Sequence, residues 1–239
     1  MKTKRVFYSE AAYALGIVAL ALGTALMARA DFGMSVAVAP AYLLHLKLSP
    51  VFPAFTFGVA EYLFQAGLLI LLSLALRRFR AVYLLSFVTT VLYALALDAV
   101  IALGGLLPPL PGGLGLRVCC FIAGELLCAS GVSLFFRTYL PPEVYELLVK
   151  EIARHTGADV HRVKMAYDGV SCAVSVAMSF AFFGFGHFEG VKLGTAALAL
   201  VNGRIIRGVS RAMETRFEFK DALGLRARFE ARRGGNRLN

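Results

Sequence analysis

Val118-Cys-Cys-Phe-Ile-Ala-Gly-Glu125-Leu-Leu-Cys-Ala-Ser-Gly131-Val-Ser-Leu-Phe-Phe136 is the stretch on which the fold turns. Glu125 is its one charged residue, and the stretch lies between Arg117 and Arg137. A helix needs about 20 mostly apolar residues to cross a bilayer, at about 1.5 Å of rise per residue. Residues 117–136 meet that length, so the stretch reads as a membrane span. Comparable blocks lie outward from it at 11–30, 56–76, 82–104, 165–186 and 193–210. The last is the weakest, because Arg204 and Arg207 interrupt it. Of 239 residues, 59% are hydrophobic and 17% charged, too few polar groups to cover a soluble domain of this size. The expectation is an all-α polytopic membrane protein with six transmembrane helices. The apolar run behind Lys2, Lys4 and Arg5 also looks like a secretory signal, but it is long for one and is read as the first span.

The same stretch exposes an internal repeat. Gly131-Val-Ser-Leu-Phe-Phe-Arg137-Thr-Tyr139 echoes Gly23-Thr-Ala-Leu-Met-Ala-Arg29-Ala-Asp31. Gly, Leu and Arg align at a constant spacing. Each half continues into a short stretch too brief to span, near 34–48 and 141–155. In the second, Val144, Leu147, Leu148 and Ile152 share one helical face. Each half then opens a helix carrying an acid, Glu61 or Asp168, and closes with a span running from Ser86 to Asp98 or from Thr195 to Arg207. The expected organisation is a three-helix repeat over 1–104, a Gly/Pro loop over 105–116, a second repeat over 117–210 and a basic tail over 211–239. Three is odd, so the halves would be inverted, an architecture of many secondary transporters.

Loop charge orients the spans. Lys2, Lys4 and Arg5, then Arg77, Arg78 and Arg80, then the basic C-terminal end fall on one side if there are six spans. The charged segment 137–164 shares that side. The rule that cationic loops stay inside puts both termini in the cytoplasm. The net charge of +10 follows from this asymmetry. The tail reads as a surface for anionic lipid headgroups, not nucleic acid.

Leu22-Gly-Thr-Ala-Leu-Met-Ala-Arg-Ala-Asp-Phe-Gly-Met-Ser35 resembles the first-span signature of the YczE/YitT-like bacterial membrane proteins. Arg154-His-Thr-Gly157 and Gly194-Thr195 resemble second-half patterns of that family, so the likeness covers about 10–210. Val36-Ala-Val-Ala-Pro40 stands where the family usually has a Pro-Trp-Asp-like stretch. The resemblance implies a six-span protein of the bacterial inner membrane, of poorly defined function and often taken for a transporter.

Ionisable groups inside spans are costly and rarely face lipid, so they mark candidate sites. Glu125, mid-span, is too short to reach either surface. Glu61 and Asp168 are the repeat-related acids, expected at opposite depths. Gln65 lies one turn from Glu61 on the same face. Arg204 and Arg207 could project inward to pair with Asp168 or Glu125, with Asn202 beside them, or else extend to headgroups with Arg211. Asp31 could cap the 34–48 helix, whose N-terminus would then face a ligand. Asp98 reads as interfacial. His187 and Glu189 lack a third partner, so no metal is expected, and Cys119, Cys120, Cys128 and Cys172 form no C-x-x-C pair. No nucleophile–base pair or phosphate loop is present, so neither an enzyme nor a cofactor is expected. The sequence points first to a secondary transporter or permease for a small solute. A non-transporting scaffold, docked through 141–155 and the tail, is the alternative. Homo-oligomerisation is compatible with both.

Overall fold

A computed structural model describes residues 5–106, 113–186 and 188–224. The tip of the Gly/Pro loop, His187 and most of the basic tail lie outside the described residues. The elements run β1 (Arg5–Tyr8), α1 (Ser9–Ala30), α2 (Ala39–Leu48), α3 (Phe57–Ala75), α4 (Ala81–Gly105), α5 (Leu114–Phe135), α6 (Val144–Thr156), α7 (Val160–Phe183), α8 (Leu193–Arg216) and β2 (Phe217–Lys220). Among the described residues five helices are long and apolar enough to cross a membrane: Ser9–Ala30, Phe57–Ala75, Tyr83–Gly105, Leu114–Phe135 and Arg162–Phe183. The protein is therefore membrane-embedded and almost wholly helical. α8 has 24 residues, enough length to span, but its mean hydropathy is lowered by Arg204, Arg207 and Arg211.

Helix ends follow the local chemistry. Thr56 caps α3, its hydroxyl accepting from Val59 N at 3.1 Å. Asp98 of α4 reinforces that end by accepting from Thr56 Oγ1 at 2.6 Å and Gly58 N at 2.8 Å. Asp98 is thus a cross-helix cap. Asp159 accepts from Arg162 N at 3.2 Å as α7 begins. Gly157, at φ 70°, ends α6 in the left-handed region that glycine enters without cost. Asp31 does not cap α2. That helix starts at Ala39 behind Val38, which offers no side-chain cap. Asp31 instead terminates α1 in the left-handed region and pairs with Arg117 at 3.0 Å and Lys192 at 2.5 Å.

α1 and α5 form the central pair. They run antiparallel, with Gly16 against Gly131 and Gly23 against Gly124. A Cβ on Gly23 would sit 2.6 Å from the Gly124 carbonyl oxygen, and one on Gly131 2.8 Å from that of Gly16. In lipid, where apolar burial drives little association, such close approach supplies the packing energy. α4 flanks α1, and α8 flanks α5. α2 packs between α3 and α7, and α6 packs on α3, α4 and α7. Leu63, Ile70, Leu71 and Leu74 of α3 and Leu84, Val88, Leu92 and Leu95 of α4 are exposed, as lipid-facing side chains must be.

Two short strands flank the all-α bundle. β1 and β2 pair in parallel, Arg5 opposite Phe217 through Tyr8 opposite Lys220. Phe7 holds the pair together, its ring 5.6 Å from Phe217 and 5.7 Å from Phe219. Beside it, Glu10 accepts from the backbone N–H of Ala222 and Leu223 and from the Tyr139 hydroxyl at 2.7 Å. The segments just before α1 and just after α8 therefore meet on one side of the bundle.

Candidate functional site

Gln65 is the hub of a buried polar cluster. It stands near the middle of α3, one turn from Glu61, and both are fully buried. Its amide nitrogen donates to Glu61 Oε2 and Glu143 Oε2, each at 3.2 Å. Its amide oxygen accepts from Thr90 Oγ1 of α4 at 2.7 Å and from Val144 N at 3.1 Å. All four hydrogen-bonding positions of that amide are used. Val144 is the first residue of α6, so α6 inserts its N-terminus to mid-depth of α3. It carries Glu143, Tyr145 and Glu146 in with it, and the Tyr145 hydroxyl donates to Glu61 Oε2 at 3.0 Å.

α7 closes the other side. Lys164 and Asp168, four residues apart, are both buried and form an ion pair at 3.1 Å. The Lys164 ammonium also lies 5.4 Å from the centre of the Tyr167 ring. The Tyr145 and Tyr167 rings, 6.3 Å apart, connect the two sides. Glu125 of α5 is buried, within electrostatic reach of Lys164 and Asp168, and neither of its carboxyl oxygens has a hydrogen-bond partner. Asn202 of α8 is 4% exposed, and its side-chain oxygen is likewise unpartnered. A cavity of about 30 Å³ lies between these elements, bordered by Glu143, Glu146, Lys164 and Asn202 and by the apolar Leu20, Val132 and Ile206. That is room for about one water molecule.

The electrostatics are one-sided. Glu61, Glu125, Glu143, Glu146 and Asp168 are buried around a single buried cation, Lys164. An ionised carboxylate in a dry interior is very costly unless it is paired or hydrogen-bonded. Outside the spans, burial drives the Glu143 carboxyl above the usual carboxylate range, and the neighbouring acids Glu146 and Glu61 push it further. Burial also raises Glu146, against the pull of Lys164. The arrangement can hold and release positive charge, whether protons or a cationic ligand.

Of the residues singled out from sequence, the structure gathers Glu61, Gln65, Glu125, Asp168 and Asn202 into this cluster. It leaves the others out. Arg204 is exposed, and its guanidinium donates to Leu200 O of its own helix at 3.3 Å. Arg207 is exposed too, on the outer surface of α8. Asp31 sits in the exposed ion pairs at the end of α1. Glu61 and Asp168, expected at opposite depths, converge on α6. Glu143, Glu146 and Lys164 do not stand out in the sequence, where all three read as loop charges in 137–164. The available signals were local: Lys164 is one turn before Asp168, and Glu143 and Glu146 bracket the first turn of an otherwise apolar face. Among the described residues no group of three His, Cys, Asp or Glu could hold a metal ion. The four cysteines are free thiols on α5 and α7.

No curated protein and no solved structure matches this chain. Residues 7–211 match a family described as a family of unknown function, DUF6198, and the chain belongs to that family.

Proposed function

We propose that this protein is a secondary transporter for a small solute, and not an enzyme or a scaffold. The observation that carries the reading is the buried cluster, which gathers five carboxyl groups and one lysine inside the helical bundle. Intramembrane ionisable groups are expensive, and where they persist they commonly line a substrate or proton path.

The reading includes six spans in two inverted halves. Several observations support it. β1 meets β2, so the segments flanking α1 and α8 lie together, as an even number of crossings with α8 as the sixth would have them. Gly16 and Gly23 of α1 take the same steps as Gly124 and Gly131 of α5, and the two pairs contact each other reciprocally. Arg29 donates to Gly104 O at the end of α4 at 2.6 Å, while Arg137 donates to Ser210 Oγ near the end of α8 at 2.9 Å. α2 and α6, the short helices of the two halves, each pack against the second long helix of the other half. In this reading both termini are cytoplasmic, in a bacterial inner membrane, with Arg204 and Arg207 extending towards headgroups. Kinship to the YczE/YitT-like proteins is part of the same proposal.

The test is solute uptake by proteoliposomes across a panel of small charged metabolites. Wild type takes up at least one solute, while Glu125→Gln and Asp168→Asn insert normally and lose at least about tenfold of the flux. Unchanged flux in both variants would remove the cluster from the pathway.

A further inference from the structure

The unpartnered atoms of the cluster share one property. Glu61 Oε1, both oxygens of Glu125, Glu143 Oε1 and the Asn202 oxygen have no hydrogen-bond donor, and all are acceptors when the carboxyls are ionised. Buried acceptors normally find donors, so a ligand completing this site brings N–H or O–H groups. The excess of acids over bases asks it to bring positive charge as well. A metal ion brings charge but no donors, and no metal-type group is present among the described residues.

Lys164 already shows what such a ligand looks like. Its side chain is a primary alkylammonium, 3.1 Å from Asp168 and 5.4 Å from the Tyr167 ring centre. Cation–π attraction and a charge-assisted contact thus act on the same ammonium. Lys164 also lies within electrostatic reach of Glu146 and Glu125, so its flexible stem has other acids to turn to. The cavity beside it is lined by the polar Glu143, Glu146 and Asn202 and by the apolar Leu20, Val132 and Ile206. The polar groups suit an ammonium head and the apolar ones a short alkyl group, once Lys164 withdraws and enlarges a space that now holds about one water molecule.

We propose that the site binds a small primary amine in its ammonium form, which takes the place of Lys164 on Asp168 and donates to the unpartnered acceptors of Glu125 and Asn202. Lys164 is then a tethered competitor that occupies the site when cargo is absent. Its release from Asp168 couples binding to a rearrangement of α7 against α5 and α6. This inference rests on the transport reading, whose cargo class it names.

The experiment is equilibrium binding to the purified full chain by calorimetry, with methylammonium as probe and tetramethylammonium, sodium and acetate as comparisons. Wild type binds methylammonium, and the other three bind at least about tenfold more weakly, since only methylammonium combines positive charge with N–H donors. Asp168→Asn loses the binding. Lys164→Ala removes the competitor and binds methylammonium about tenfold more tightly. Should Lys164→Ala fail to fold, Asn202→Leu serves instead, with binding about tenfold weaker. Three results would each overturn the inference: no methylammonium binding by folded wild type, equal binding of tetramethylammonium, or unchanged affinity in whichever of the two variants folds. Binding without uptake in proteoliposomes keeps the amine site and sinks transport. Uptake of a different solute without methylammonium binding does the reverse.

Discussion

Gln65 carries more of this structure than any charged residue near it. Its amide satisfies a backbone N–H at the start of α6, a hydroxyl on α4 and carboxyl oxygens from two elements. Leucine has the same bulk and none of those bonds. Gln65→Leu leaves the Thr90 hydroxyl without its acceptor and the Val144 N–H with only a long contact to Thr90 Oγ1 at 3.4 Å, at a cost of about 2–4 kcal/mol. Thermal melting in detergent checks this, and a melting temperature equal to wild type would show that α6 is held elsewhere. Glu143 and Glu146 set a second prediction at this scale. Their carboxyls are raised above the ordinary value of 4.5 in the fold. A raised acid binds its proton more tightly folded than unfolded, so its stabilisation is complete below the ordinary value and is lost as pH rises through the folded one. Melting temperature therefore falls from mildly acidic towards alkaline pH, and the Glu143→Gln, Glu146→Gln double variant flattens that slope. A profile identical to wild type would detach these acids from stability. Of the cluster, Glu61, Gln65, Glu125, Asp168 and Asn202 were legible in the sequence, because a polar residue inside an apolar run stands out by itself. Glu143, Glu146 and Lys164 were not, because each sits among other charges and only the inward path of α6 buries it.

At the scale of elements, the α1–α5 pair depends on the absence of side chains at four positions. Gly23→Ala would put a methyl group 2.6 Å from both the Gly124 carbonyl oxygen and Cys128 Sγ, and backbone cannot give way as a flexible side chain can. The helices must part, and stability drops by about 1–3 kcal/mol. Gly67, on the exposed face of α3, is the matched control. A Cβ there meets nothing within 4 Å, so Gly67→Ala is neutral or gains up to about 1 kcal/mol from reduced chain entropy. Melting of the two single variants side by side checks the pair, and equal effects would count against the close approach. The glycines were visible in the sequence as part of the repeat, but their reciprocal contact was not. Spacing along one helix says nothing about which helix faces it. α8 makes the same point from the other direction: Arg204 and Arg207 share a helical face by spacing, yet only packing decides that the face points outward.

For the whole molecule, the meeting of β1 and β2 makes topology testable. Reporter fusions or labelled cysteines placed before Arg5 and after Lys220 are expected on the same side of the membrane, and opposite sides would exclude six spans. The sequence by itself determined that the chain is embedded in a membrane, where its long helices lie, and which isolated acids interrupt them. Those are local sums: about 20 consecutive residues decide whether a segment partitions into lipid. Only the tertiary structure decided that α6 enters the bundle, that Glu61 and Asp168 share one cluster, and that its cation is Lys164 and not an arginine of α8. The physical reason is that burial of a charge is a property of its neighbours. A carboxyl or ammonium next to a helix end is cheap in water and costly in a dry interior, and which of the two surrounds it is set by segments far away in the chain.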